Sequence, residues 1–125
     1  MSESDEMYQA RAIIQEYVDA SAVCSVARLK AIFHENALMS GYLMGEYIMG
    51  SPEPFFQAVE NAPSGIESGE NYKGDIISVD VCGPIASVTL RETGFMGMNF
   101  MDYFHLAKVN DKWKIISKTF NPETD

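Results

Sequence analysis

Basic residues are scarce in this chain. Lys and Arg total 9 against 18 Asp and Glu, a net charge of −9. A nucleic-acid binder needs cations to neutralise phosphates, so this balance argues against nucleic acid as a partner. The one local exception is Lys108, Lys112, Lys114 and Lys118, all in the last fifth of the chain. They read as solvated strand edges and turn charges that discourage edge pairing, with Lys118 set apart below. No apolar run approaches the ~20 residues of a membrane span, so no membrane is expected. Cysteine is nearly absent: Cys24 and Cys82 lie far apart without CxxC or zinc spacing, which reads as reduced thiols in a cytoplasmic protein. Met1 to Glu6 is acidic and lacks a secretory signal's basic start and apolar centre. The two histidines, His34 and His105, show no HxxE or HxH spacing, so no metal is expected. Without a nucleophile elbow or a glycine-rich phosphate loop, neither a hydrolase triad nor a nucleotide cofactor is indicated, and no cofactor is assigned.

What is present is an ordinary globular composition, 46% hydrophobic and 22% charged over 125 residues. That suits one domain, 1–125, with 1–4 and 122–125 as loose tails. The organising stretch is Asn99 to Phe120. Two strand-like runs flank the polar turn Val109-Asn110-Asp111-Lys112. Both faces of this hairpin carry aromatic or β-branched residues, so both are expected to be dry, one against helices and the other against a second copy of the chain. Upstream, Ser4 can cap a helix whose stripe is Ala10, Ile13, Ile14, Tyr17, Val18 and Ser21. Ser25 can cap a second helix with Val26, Leu29, Ile32 and Phe33 inward, ended by His34-Glu35-Asn36. Ala37–Leu43 and Glu46–Met49 read as a small hairpin around Met44-Gly45. Ser51-Pro52-Glu53-Pro54 starts a third helix, with Phe55, Phe56, Val59 and Ala62 on its apolar side. Pro63 to Asn71 reads as a loop. Tyr72–Cys82 and Ala86–Arg91 alternate as strands, and Thr93–Asn99 reads as a Gly/Met-rich lead into the last hairpin. Segregated helices and antiparallel strands make the class α+β: a curved antiparallel sheet wrapped on three helices, with a pocket between them.

The order of helix, helix, FHENA (Phe33 to Ala37), hairpin, Pro-started helix and four strands resembles the nuclear transport factor 2-like superfamily, with its cystatin-like cone. FHENA together with MDYFHLAKVNDKWKIISKTF (Met101 to Phe120) is similar to the putative lumazine-binding family within it, on a SnoaL-like, ketosteroid-isomerase-like scaffold. Set against ketosteroid isomerase, the resemblance places the helix tyrosine at Tyr17 and the general base at Gly41. It places the second acid at Tyr103 and the pocket aromatic at Phe120. A glycine at the base position argues against ketosteroid isomerisation itself. The resemblance implies a pocket lined by Tyr17, Phe33, Tyr103, Ile116 and Phe120.

If Phe120 points inward, strict alternation brings Ile116 and Lys118 with it and turns Trp113 and Ile115 outward. The preferred reading of Lys118 is that it snorkels to the rim; inside the pocket it could hold an anionic or carbonyl-bearing ligand, or form an internal pair. For Asp102 the preferred reading is the outer, dimer-forming face; a register slipped by one puts it in the pocket as an acid or base. His34 reads as packing or capping at a helix end, and His105 as a residue that could line the pocket with Tyr103. Six methionines, Met39, Met44, Met49, Met96, Met98 and Met101, crowd the two hairpins as gap fillers or as an adaptable ligand surface. The leading functional expectation is a binder of a small, mostly apolar ligand that also forms a homodimer. The alternatives are an isomerase, cyclase or dehydratase using Tyr17 with Asp102 or His105, and a dimeric interaction module with a filled core. A pocket carboxylate within hydrogen-bond reach of Tyr17 favours the enzyme.

Overall fold

The computed structural model describes residues 3–62 and 71–123, with side chains from Asp5 onward. The elements are α1 (Glu3–Ala22), α2 (Val26–Ile32), β1 (Phe33–Leu43), β2 (Glu46–Gly50), α3 (Glu53–Glu60), β3 (Lys73–Cys82), β4 (Ile85–Phe95), β5 (Met98–Val109) and β6 (Lys112–Pro122). The six strands form one curved, unclosed sheet in the order β2-β1-β6-β5-β4-β3. It is antiparallel except where β1 meets β6, a pair that runs parallel. Parallel pairing suits these two strands because β1 enters the sheet straight from α2 and does not follow β6 through a hairpin.

Local chemistry explains the element ends. Ser25 Oγ accepts from the Arg28 N–H at 3.3 Å and caps α2. Pro52 opens α3, where a missing N–H does no harm. Met44-Gly45, Met96-Gly97 and Asn110-Asp111 all have positive φ, the backbone of two-residue hairpin turns whose twist matches the strands. The Met96-Gly97 turn carries β4 on to Phe95 and starts β5 at Met98, so Thr93–Asn99 is hairpin and not a lead-in loop. At the other end of the sheet β1 begins at Phe33, and His34-Glu35-Asn36 belong to the strand. His34 Nδ1 accepts the Asn36 N–H at 3.0 Å.

Helix α1 begins at Glu3, so Ser4 sits inside it; the Ser4 side chain, like the expected loop from Pro63 to Glu70, lies outside the described residues. Of the segments expected as tails, Glu3 belongs to α1, and Pro122 and Glu123 are tied to the sheet. Pro122 is in β6, the Glu123 N–H bonds Asn99 O at 2.8 Å, and the Glu123 carboxylate pairs with Arg91 at 2.9 Å. The apolar stripe of α1 packs on β3, β4 and β6, burying Ala10, Ile14, Tyr17 and Val18. Lys108 ties β5 back to this helix through Glu6 at 3.0 Å, with both side chains only 14% exposed.

Two bulges set which side chains face the helices. In β6 the pairing moves from His105↔Ser117 to Leu106↔Ile115, leaving Ile116 as an extra residue. Alternation therefore breaks: Trp113 and Ile115 point inward, Ile116 is exposed, and Lys118 and Phe120 point inward again. In β3 the extra residue is Ile77, which is exposed while Ile76 and Val79 pack inward.

Candidate functional site

Phe100, Asp102, Phe104 and Leu106 form the buried face of β5, and Tyr103 and His105 point the other way. Tyr103, 56% exposed, shares the outer face with Ile116 and Leu38. This corrects three expectations. Tyr103 and Ile116 do not line a cavity with Tyr17, His105 is not within reach of that tyrosine, and Asp102 faces the helices and not the outer surface. The physical causes are the Ile116 bulge and a one-residue offset on β5.

On the inner face, strand register brings three ionisable groups into one line. Glu92 on β4 is opposite Phe100, Asp102 is opposite Leu90 and Phe120, and Lys118 on β6 is opposite Phe104. Glu92, Asp102 and Lys118 thus form a diagonal across three adjacent strands, all buried. Diagonal same-face neighbours are close enough for long side chains to meet. Tyr17, fully buried on α1, reaches down between them. Its oxygen accepts a hydrogen bond from Lys118 Nζ at 2.6 Å, and its O–H donates to Glu92 Oε1 at 3.4 Å. The Tyr72 O–H donates to Glu92 Oε2 at 2.6 Å. The Lys118 ammonium also lies 4.3 Å from the centre of the Phe55 ring and 5.4 Å from that of Phe120. Aromatic faces, a phenol oxygen and two carboxylates together make a buried ammonium tolerable. Lys118 is consequently inside the cone and not at its rim.

The electrostatics follow from this placement. Burial, then the negative charge of Glu92 and Asp102, holds the Tyr17 phenol well above its usual range, so it stays neutral and able to donate. Tyr72 is pushed up for the same reasons. Burial also raises Asp102 well above the ordinary carboxylate range; the Lys118 ammonium works against this, and Glu92 adds to it. Among the described residues no N–H or O–H group reaches either Asp102 oxygen. The group that Asp102 meets is the Glu92 carboxylate, and two carboxylates can bond only by sharing a proton.

Above this cluster lies a cavity of about 340 Å³ between the inner sheet face, α3 and the β1–β2 and β4–β5 turns. Its walls are apolar, with Met39, Phe55, Phe95, Met98, Phe100 and Phe120 prominent. Its only ionisable lining residues among the described ones are Glu92 and Lys118. A mostly apolar cavity with a few convergent polar groups has the make-up of a small-molecule site. Tyr17 lies one layer beneath this floor and holds Lys118 and Glu92 in place. Phe33 packs against Tyr17 and Phe56, with ring centres at 6.4 and 5.3 Å, and not on the cavity wall, where Phe55 takes that part. Gly41, at the isomerase's base position, faces the Phe120 backbone oxygen and ring so closely that an added Cβ would meet Phe120 Cδ1 at 2.7 Å. No side chain fits there.

Sequence reading missed Glu92 and the polar role of Tyr72. The signal for Glu92 was present: Ala86, Val88 and Leu90 alternate inward, and one more step reaches Glu92. A strand ended at Arg91 hid it.

The comparisons agree with this architecture. A family model described as "Putative lumazine-binding" matches residues 5–121. An NTF2-like protein of unknown function from Shewanella baltica OS155 superposes with a TM-score of 0.90 at 21% identity, over 100% of this chain and 99% of that one. Another, from Silicibacter pomeroyi DSS-3, gives 0.87 at 26% identity, over 98% and 100%. Among curated proteins, Aldolase FrzH from Cladobotryum sp is 28% identical over 105 residues, 84% of this chain and 82% of that protein. The fold is nuclear transport factor 2-like.

Proposed function

Since the chain belongs to the "Putative lumazine-binding" family, we propose that it holds a small, mostly apolar molecule in the cavity and moves a proton on it by acid–base catalysis. One observation carries this reading: Lys118 and Glu92 both line the cavity floor, and the Tyr17 hydroxyl just beneath it joins them, 2.6 Å from one and 3.4 Å from the other. Glu92 is the proton acceptor, because it is the carboxylate that lines the cavity. Lys118 is the hydrogen-bond donor to the substrate. Asp102 lies behind the floor, where burial holds its carboxyl well above the ordinary carboxylate range. The likeness to a protein named an aldolase supports the same class of step, since aldol chemistry begins with removal of a proton from carbon.

A carrier without chemistry could use the same apolar walls. It would gain nothing from two buried carboxylates and an ammonium, each of which is expensive to desolvate. A filled-core interaction module does not account for a 340 Å³ cavity. The test is incubation of the protein in D2O with a panel of small apolar compounds bearing acidic C–H groups, read by mass spectrometry. Wild-type protein should add deuterium to at least one compound, and Glu92→Gln should be slower by roughly 10²–10⁴-fold. Equal rates for the two proteins contradict the reading.

A further inference from the structure

Charge balance at the cavity floor narrows the substrate class. Lys118 is the only cation lining the cavity among the described residues; Glu92 shares that lining, and the buried Asp102 lies close enough to feel the Lys118 charge. With one proton shared between the carboxylates the cluster is neutral; without it the cluster is negative. In neither state is there positive charge to spare. A carboxylate or phosphate head placed here would face Glu92 across an apolar pocket with no cation of its own, and an uncompensated buried charge is strongly unfavourable. An ammonium head fares no better, because it would meet Lys118 at the same floor.

What the floor does offer is an unused donor. An ammonium has three N–H groups. Among the described residues the Lys118 Nζ makes one hydrogen bond, to Tyr17, and the rings of Tyr17, Phe55 and Phe120 lie 5.0, 4.3 and 5.4 Å away. The remaining N–H groups can serve an uncharged acceptor that enters through the apolar cavity. Resting on the reading of this cavity as the substrate site, we infer that the substrate is an electrically neutral molecule presenting a ketone or aldehyde oxygen to Lys118, with a hydrogen on the adjacent carbon facing Glu92. Glu92 then takes that hydrogen as a proton when the C–H bond breaks. The electron pair moves on to the carbonyl oxygen, and the resulting enolate accepts the Lys118 N–H. Return of the proton from Glu92 to carbon restores both partners, so no oxidant, reductant or second reactant is required.

Chain-matched probes test this directly. The full chain is titrated at pH 8 with 2-decanone, decanoate and decylammonium by isothermal calorimetry. The ketone should bind at least tenfold more tightly than either ion. Decanoate or decylammonium binding as tightly as the ketone overturns the inference, and so does the absence of binding by all three. The same samples in D2O keep the two claims apart. A bound ketone that gains no deuterium supports the ligand class and counts against the acid–base reading. Deuterium gain with decanoate as the tightest ligand does the reverse.

Discussion

Lys118 on the last strand donates to the Tyr17 oxygen on the first helix at 2.6 Å, across 101 residues of chain. This contact joins α1 to the sheet at a buried polar cluster beneath the cavity. Both groups are needed there: the phenol gives the ammonium an acceptor, and its own proton goes to Glu92.

Replacing Tyr17 with Phe keeps the ring and removes both bonds. A buried Lys118 N–H and a buried Glu92 oxygen lose a partner, and each such loss costs about 1–3 kcal/mol. Urea unfolding should show a loss of at least about 1 kcal/mol. An unchanged midpoint and slope would contradict the hydrogen-bond chain.

Asp102→Asn should stabilise the protein as pH rises. Burial raises the Asp102 pKa in the folded state, so the folded protein binds this proton more tightly than the unfolded one. Its contribution is present below the unfolded value of about 3.9 and is lost as pH climbs towards the raised folded value. The amide mimics the protonated acid and does not titrate. Melting temperatures of the two proteins should therefore diverge above about pH 4, with Asn the more stable, by at most about 1.4 kcal/mol per pH unit. Parallel curves from pH 4 to 8 would refute the assignment of Asp102.

Gly41→Asp tests whether the isomerase's base can be restored. The site has no room, since the new Cβ would press on the Phe120 backbone and ring. The variant should lose about 1–3 kcal/mol of stability, as overpacked sites do, and gain no proton-transfer activity. Thermal unfolding with a deuterium-exchange assay checks both outcomes.

Ala58 lines the cavity from the exposed side of α3, away from the ionisable floor. Ala58→Trp should occupy the mouth, lowering ketone affinity tenfold or more. Its stability should stay within about 0.5 kcal/mol, as for most surface changes. Unaltered calorimetric affinity would place the ligand elsewhere.

Much of the fold was legible because periodicity and turn chemistry are local. The α1 stripe, the Ser25 cap, the proline start of α3 and the Asn110-Asp111 turn all appear as the residues suggest. The site was less legible, because which way a strand residue points depends on register across neighbouring strands. Ile116 is apolar, like its neighbours, and nothing in the residue itself marks it as the extra one in a bulge. That single residue reverses the faces of Trp113 and Ile115 relative to Phe120. The parallel β1–β6 pair likewise joins residues far apart in sequence. Glu92 was readable in principle from its alternation with Leu90, but a charged residue at the end of an apolar run looks like a strand end.

The most direct measurement is the rate at which the hydrogens beside the carbonyl of 2-decanone exchange in D2O, followed by proton NMR. Wild-type protein should accelerate the exchange. Glu92→Gln, which keeps the shape and removes the base, should be slower by roughly 10²–10⁴-fold. Exchange at the same rate with wild type, with Glu92→Gln and in buffer alone would contradict acid–base catalysis at this cavity.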